Sequence, residues 1–210
     1  SKKKSSDVFC NECDLQLQLA RYLSCSYKIH LEYFIPYSAV EAQMKSKLLS
    51  EHDYKPQNLY IDIVVEKDGE FLPIELKYKT MPINAEVYRF GEKLEKVEIL
   101  KNHGARDLGA YDFWRDVSRI ECLIKRFNNV KNGIALFVTN DQGYWTLPKM
   151  GTNPNYANFS MQDGAHSREK TWQGNTAMSS ARPSFNVNKE YELVWKDYDL
   201  PFRYCLLQIK

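Results

Sequence analysis

Three charged residues stand inside apolar runs of "YIDIVVEKDGEFLPIELKYKT", residues 60–80: Asp62, Glu75 and Lys77. A charge left unpaired among such neighbours is costly, so each must either face water or be balanced within a site. Between the two runs, Asp68-Gly69 is a strong hairpin signal, because both central positions of a type I′ turn need positive φ. That turn sets Lys67 against Glu70 and, in the same register, Asp62 against Glu75. Alternation then puts Asp62, Glu75, Lys77 and Lys79 on one face, and Ile61, Ile63, Val65, Leu72, Ile74, Leu76 and Tyr78 on the other. Two opposed carboxylates would have Cβ atoms ~4.5–5.5 Å apart and destabilise the pair unless a cation or a proton sits between them. Converging hard oxygens suit Mg²⁺, which binds through one or two carboxylates and keeps several waters. Lys77 adds an amine able to contact phosphate or activate water. A one-residue bulge at the turn would instead oppose Asp62 to Ile74 and leave a merely solvated charged face, so the register decides.

The elements that must hold these residues can be read from their patterns. Residues 8–23 read as a helix, with Val8, Leu15, Leu19, Tyr22 and Leu23 on one face and Glu12 near the centre of that face. A first-turn acid interacts favourably with the helix dipole, but an apolar face is an odd place for it. "HLEYFIPY" (30–37) reads as a strand, followed by a polar helix or loop. Residues 81–103 fit either a helix, through Val87, Phe90, Leu94 and Val97, or two short strands in "EVYRF" and "KVEIL". The strongest helix spans residues 111–127, where Phe113, Val117, Ile120, Ile124 and Phe127 form a stripe. Its other faces carry Arg115, Asp116, Arg119, Lys125 and Arg126. "GIALFVTN" reads as a buried strand, residues 148–183 as a long irregular or mobile segment, and "YELVWKDY" and "FRYCLLQIK" as further strands. Without repeats or linkers, residues 1–210 read as a single α/β domain, a mixed sheet covered by helices.

Composition sets wide bounds. A chain of 210 residues buries a substantial core, and 43% hydrophobic with 27% charged residues is a globular balance. No apolar run approaches the ~20 residues of a membrane helix, so a membrane partner is not expected. Five scattered cysteines do not form a disulfide framework and point to a reducing, cytoplasmic setting. Cys10 and Cys13 make a lone CxxC without the second pair a zinc site needs. A net charge of +2 does not exclude nucleic acid, which a single groove can bind.

The segment "YIDIVVEKDGEFLPIELKYK" resembles the PD-(D/E)xK nuclease superfamily, with its restriction-endonuclease-like fold. Asp62 resembles the strand aspartate and Glu75-Leu76-Lys77 the ExK, although Ile61 stands where the family often has proline. Glu12, in "NECDLQLQLARYL", resembles the glutamate that many relatives carry on the helix before the first strand. The motif covers about twenty residues, and the order of elements is compatible over residues 8–138. The resemblance implies a central mixed β-sheet flanked by α-helices and metal-dependent phosphodiester hydrolysis. It points to a DNA endonuclease of restriction, repair or resolution type, or else a catalytically silent nucleic-acid- or partner-binding module on the same fold. It implies Asp62 and Glu75 as ligands of one Mg²⁺, replaceable by Mn²⁺, with the Leu76 backbone carbonyl as a further ligand. Lys77 would position or help deprotonate water, and Glu12 would orient Lys77 or help hold a second metal. The implied partners are DNA or RNA, with a homodimer or larger nucleoprotein assembly in keeping with the family.

Basic residues offer candidate nucleic-acid contacts: Lys79, and Arg115, Arg119 and Arg126 on the strong helix, each of which could equally sit on a solvated face. His103 and Arg106 precede that helix. In residues 148–183, His166, Arg168, Lys170 and Arg182 interleave with Tyr156, Phe159 and Trp172, a mixture suited to stacking and backbone contact.

Overall fold

A computed structural model describes residues 8–49, 57–147, 154–174 and 182–210. The first helix, α1 (Glu12–Leu23), starts later than the apolar pattern suggests. Asn11 caps it by accepting the Asp14 N–H at 2.8 Å, which satisfies one of the free donors of the first turn. Strand β1 (Lys28–Ile35) and the short α2 (Glu41–Lys45) follow, then the hairpin of β2 (Leu59–Lys67) and β3 (Glu70–Lys79). At its turn Asp68 has φ 51° and Gly69 φ 81°, the two positive values a type I′ turn requires. The ambiguous segment takes its strand alternative, as the antiparallel hairpin β4 (Ile83–Arg89) and β5 (Glu92–Leu100). The long helix α3 (Arg106–Arg126) leads into β6 (Gly133–Thr139). Beyond it come β7 (Gly164–His166), β8 (Glu169–Lys170), β9 (Phe185–Asn186), β10 (Tyr191–Leu193), β11 (Trp195–Asp197) and β12 (Arg203–Ile209).

Six strands form one mixed sheet in the order β1-β2-β3-β6-β12-β11. Only β3 and β6 run parallel, and α3 lies within the long crossover that a parallel pair needs. The sheet is covered on both faces. Phe113, Val117 and Ile120 of α3 share a core with Ala135, Phe137, Cys205 and Leu207. On the opposite face Ala20 of α1 meets Ile63, Val65, Ile74 and Leu76, while Leu15 meets Tyr78 and Val138. The chain is therefore a mixed α/β protein, one compact domain. Glu75 and Lys77 pair in register with Ala135 and Phe137, so they face α3, between helix and sheet.

The described part of residues 148–183, mostly without regular secondary structure, packs into the domain. Phe159, Met161 and Trp172 are buried against α3, and the Trp114 indole N–H donates to the Phe159 carbonyl at 3.1 Å. These anchors sit at no regular spacing, so no periodicity announces them. Residues 148–153 and 175–181 lie outside the described residues. Among the described residues, no helix is long and apolar enough to cross a membrane.

Candidate active site where β2 and β3 diverge

The β2–β3 ladder runs in the register the turn dictates, from Lys67 opposite Glu70 to Ile63 opposite Ile74, and stops there. Asp62, next in line opposite Glu75, is laddered to neither neighbour. On its other side β1 pairs Leu31 with Ile63 and Tyr33 with Ile61 but skips Glu32, whose φ is 47°. The side-chain alternation changes at this irregularity. Ile61 joins Val64 in the cluster with Met44 and Leu123, whereas Ile63 and Val65 face α1. This corrects the expectation that Ile61 shares a face with Ile63 and Val65. Strict alternation holds only along an unbroken ladder, and an irregular residue re-aims the side chains around it.

Past Ile74, β3 has no paired strand on its β2 side among the described residues, and every second N–H along that edge needs an acceptor. Side chains from three different elements supply them. Leu76 N–H donates to Asp62 Oδ2 at 2.6 Å, Tyr78 N–H to Glu12 Oε2 at 2.7 Å, and Thr80 N–H to His103 Nδ1 at 3.1 Å. The Gln16 amide on α1 donates to the Asp62 carbonyl (2.7 Å) and to Glu32 Oε1 (2.8 Å), bracing the irregular turn of β2. Glu12 thus has a reason to sit on an apolar helix face: it caps the open edge beside the other carboxylates.

The charges behind this edge are crowded. Glu75 is only 2% exposed, and its Oε1 accepts no hydrogen bond among the described residues; Arg119 is 3.7 Å away. Lys77 Nζ lies 2.6 Å from Asp116 Oδ2 and donates to the Leu76 carbonyl at 3.0 Å. Arg119 holds the other oxygen of Asp116 at 3.0 Å. Burial pushes the Asp62 pKa up to about 6, against the opposing pull of Lys77 and the Leu76 N–H. Burial, with the nearby Asp116 and Asp62, pushes Glu75 well above the carboxylate range, so it favours its neutral form. Burial alone would lower the Lys77 pKa, but the facing carboxylates, Asp116 first among them, outweigh it and hold the amine above its ordinary value. Lys77 is therefore an ammonium here, able to donate but not to accept a proton.

Among the described residues no three His, Cys, Asp or Glu side chains stand together as a ready-made metal cage. Asp62, Glu75 and the Leu76 carbonyl are nonetheless hard oxygen donors of the kind Mg²⁺ accepts, and Glu75 Oε1 is a buried acceptor with no hydrogen bond among the described residues. In that sense the residues fit the ion. Two donors have other partners: one Asp62 oxygen holds the Leu76 N–H, and the Leu76 carbonyl holds Lys77.

Asp116 is the site residue that sequence reading does not single out, standing among the charges on the other faces of the strong helix. Its position three after Phe113 and four before Ile120 puts it at the edge of the apolar stripe, a signal present in the spacing. Arg115 and Arg119, expected on the exposed side of α3, instead line a cavity beside Lys77, Arg115 being 6% exposed. The reason is that later segments, Phe185 among them, cover a second side of the helix. Lys79 is half-buried, one alternation beyond Lys77.

Other candidates have structural partners. Arg126 donates to the Ala39 carbonyl (2.8 Å), Arg106 pairs with Asp141 (2.7 Å), and His103 accepts from Thr80. Arg168 is exposed. Lys170 must be corrected as a nucleic-acid contact, because it is wholly buried (0% exposed). Its Nζ lies 3.4 Å from the Trp114 ring centre and donates to the Asn158 carbonyl at 3.2 Å. Phe159 and Trp172, expected to stack on bases, are spent on the core around Tyr111. Comparison of the chain with protein-family models, curated proteins and solved structures finds no match in any of the three.

Proposed function

We propose that the divergence of β2 from β3 is the catalytic centre of a Mg²⁺-dependent nuclease with a restriction-endonuclease-like fold, hydrolysing phosphodiester bonds of DNA. The observation that carries the reading is the hydrogen bond that holds Asp62 against β3 at Leu76, between Glu75 and Lys77, while α1 adds Glu12 at the same open edge. Asp62 and Glu75, with the Leu76 carbonyl, would hold the ion, which when bound supplies positive charge to a phosphate oxygen and to the leaving oxyanion. Lys77, held by Asp116, donates to a phosphate oxygen or to the attacking water and orients it. As a retained ammonium it stabilises negative charge and leaves proton removal to another group. Asp62 and Glu12 fix the backbone of β3 through its N–H groups, and so fix the aim of Glu75 and Lys77.

One observation favours a second reading. Asp62 and Glu12 both serve as backbone acceptors, which is also what a non-catalytic nucleic-acid- or partner-binding module would use them for. The test is incubation with linear, supercoiled, branched and single-stranded DNA, and with RNA, with and without Mg²⁺ or Mn²⁺. Metal-dependent cleavage, abolished in folded Asp62→Asn and Lys77→Ala proteins, is the expected result. Cleavage that survives both substitutions refutes the site. Binding of nucleic acid without cleavage in Mn²⁺ favours the module.

A further inference from the structure

Beside the carboxylates, a cavity of about 350 Å³ opens between α3 and the segment at residues 182–183. Its lining includes Lys77, Asp112, Arg115, Asp116, Arg119 and Arg182. Four cations against two carboxylates leave an excess of two positive charges around one open cleft. Within this set Asp116 is shared by Lys77 and Arg119. Burial and the neighbouring Asp116 also push Asp112 towards its neutral form.

Two guanidiniums of the lining lie against aromatic rings. Arg115 lies 5.0 Å from the Phe185 ring centre and Arg182 lies 5.6 Å from that of Tyr111. A ring face orients a guanidinium and leaves its charge in place. Arg182 Nε has no acceptor among the described residues despite being buried. Buried donors without an acceptor are rare in folded proteins, and a ligand is one ordinary reason for them.

We infer that this cavity is a phosphate-binding pocket, in which Arg115 and Arg182 grip the phosphate group of a nucleotide with Lys77 at its inner side. Guanidinium forks match the oxygens of a phosphate, and the volume lies at the lower end of small-ligand sites, enough for a phosphate group and part of its nucleotide. The phosphate can belong to a strand's interior or to its terminus. Its assignment to a nucleic-acid strand rests on the nuclease reading, whereas the pocket's affinity for phosphate does not.

The experiment uses the full chain in EDTA, so that metal binding and cleavage play no part. Inorganic phosphate is titrated calorimetrically, with chloride at matched ionic strength as control. Saturable binding is expected, weakened about tenfold or more by Arg182→Gln, which removes one charge-assisted partner. Arg115→Gln should weaken it comparably; circular dichroism establishes that both variants are folded. Competition by short oligonucleotides on the Asp62→Asn protein then separates the sources. Displacement only by strands carrying a 5′- or 3′-phosphate assigns the pocket to strand ends, and equal displacement by hydroxyl-ended strands assigns it to backbone phosphates. No saturable binding to the folded wild type, or unchanged binding in both folded arginine variants, overturns the inference. Absence of cleavage by a wild type that still binds phosphate would count against the nuclease reading alone.

Discussion

Replacing Asp62 by asparagine removes a charge that burial makes costly while keeping an oxygen to accept the Leu76 N–H. The Asp62 pKa is raised from 3.8 to about 6. A carboxyl that holds its proton more tightly when folded loses stability as pH rises through the window between those values. At one pKa unit per ~1.4 kcal/mol, the ionised group costs about 3 kcal/mol above pH 7, roughly half of that near pH 5, and almost nothing at pH 3. Asp62→Asn should therefore be more stable than the wild type at pH 8 in EDTA, by about 2–3 kcal/mol after allowance for imperfect amide pairing. For a chain of this size that is a rise in Tm of roughly 5–10 °C. The gap should close by pH 3. Urea unfolding across this pH range measures it. Adding Mg²⁺ should stabilise the wild type and leave the variant unmoved, since an ion bound only by the native state raises stability by mass action. Equal or lower stability of the variant at pH 8, together with no response of the wild type to Mg²⁺, would refute the reasoning. Asp62 would then be a backbone cap that works best ionised.

Three other outcomes follow from the same physics. Lys170 is buried with a pKa lowered from 10.5 to about 7 by burial, so the unfolded chain binds more protons between those values and stability rises with pH there. Between pH 7 and 9 the wild type should gain roughly 2 kcal/mol from this group; Lys170→Met should be more stable at pH 7 and lack that gain in urea titrations. Asp116→Ala strands both Lys77 and Arg119, and breaking a buried pair costs about 3–5 kcal/mol; a double-mutant cycle with Lys77→Ala should be strongly non-additive in denaturation midpoints. Glu12→Ala should leave the Tyr78 N–H without its acceptor, costing about 1–3 kcal/mol in urea unfolding, whereas Glu12→Gln should restore most of that loss.

How far the sequence speaks depends on the range of the interactions involved. The turn at Asp68-Gly69 and the register from Lys67 to Ile63 were legible because positive φ and two-residue periodicity are local properties. The apolar stripe of α3 was legible for the same reason, and so was the mixed α/β class. The interruption at Asp62 was not, because it depends on Glu32 and Gln16, which belong to other elements and meet β2 only in the fold. Asp116 and Lys77 are far apart in the chain, and their pairing exists only because α3 crosses the face on which Glu75 and Lys77 project. Burial, too, is a tertiary quantity. It turned Arg115 from an exposed helix charge into the wall of a cavity, and Lys170 from a surface contact into a core amine. The sequence by itself determined where the hairpin turns and which residues face one another along its unbroken ladder. The tertiary structure decided which charges face one another and which of them are dry, because charge interactions and desolvation depend on distance in space and not along the chain.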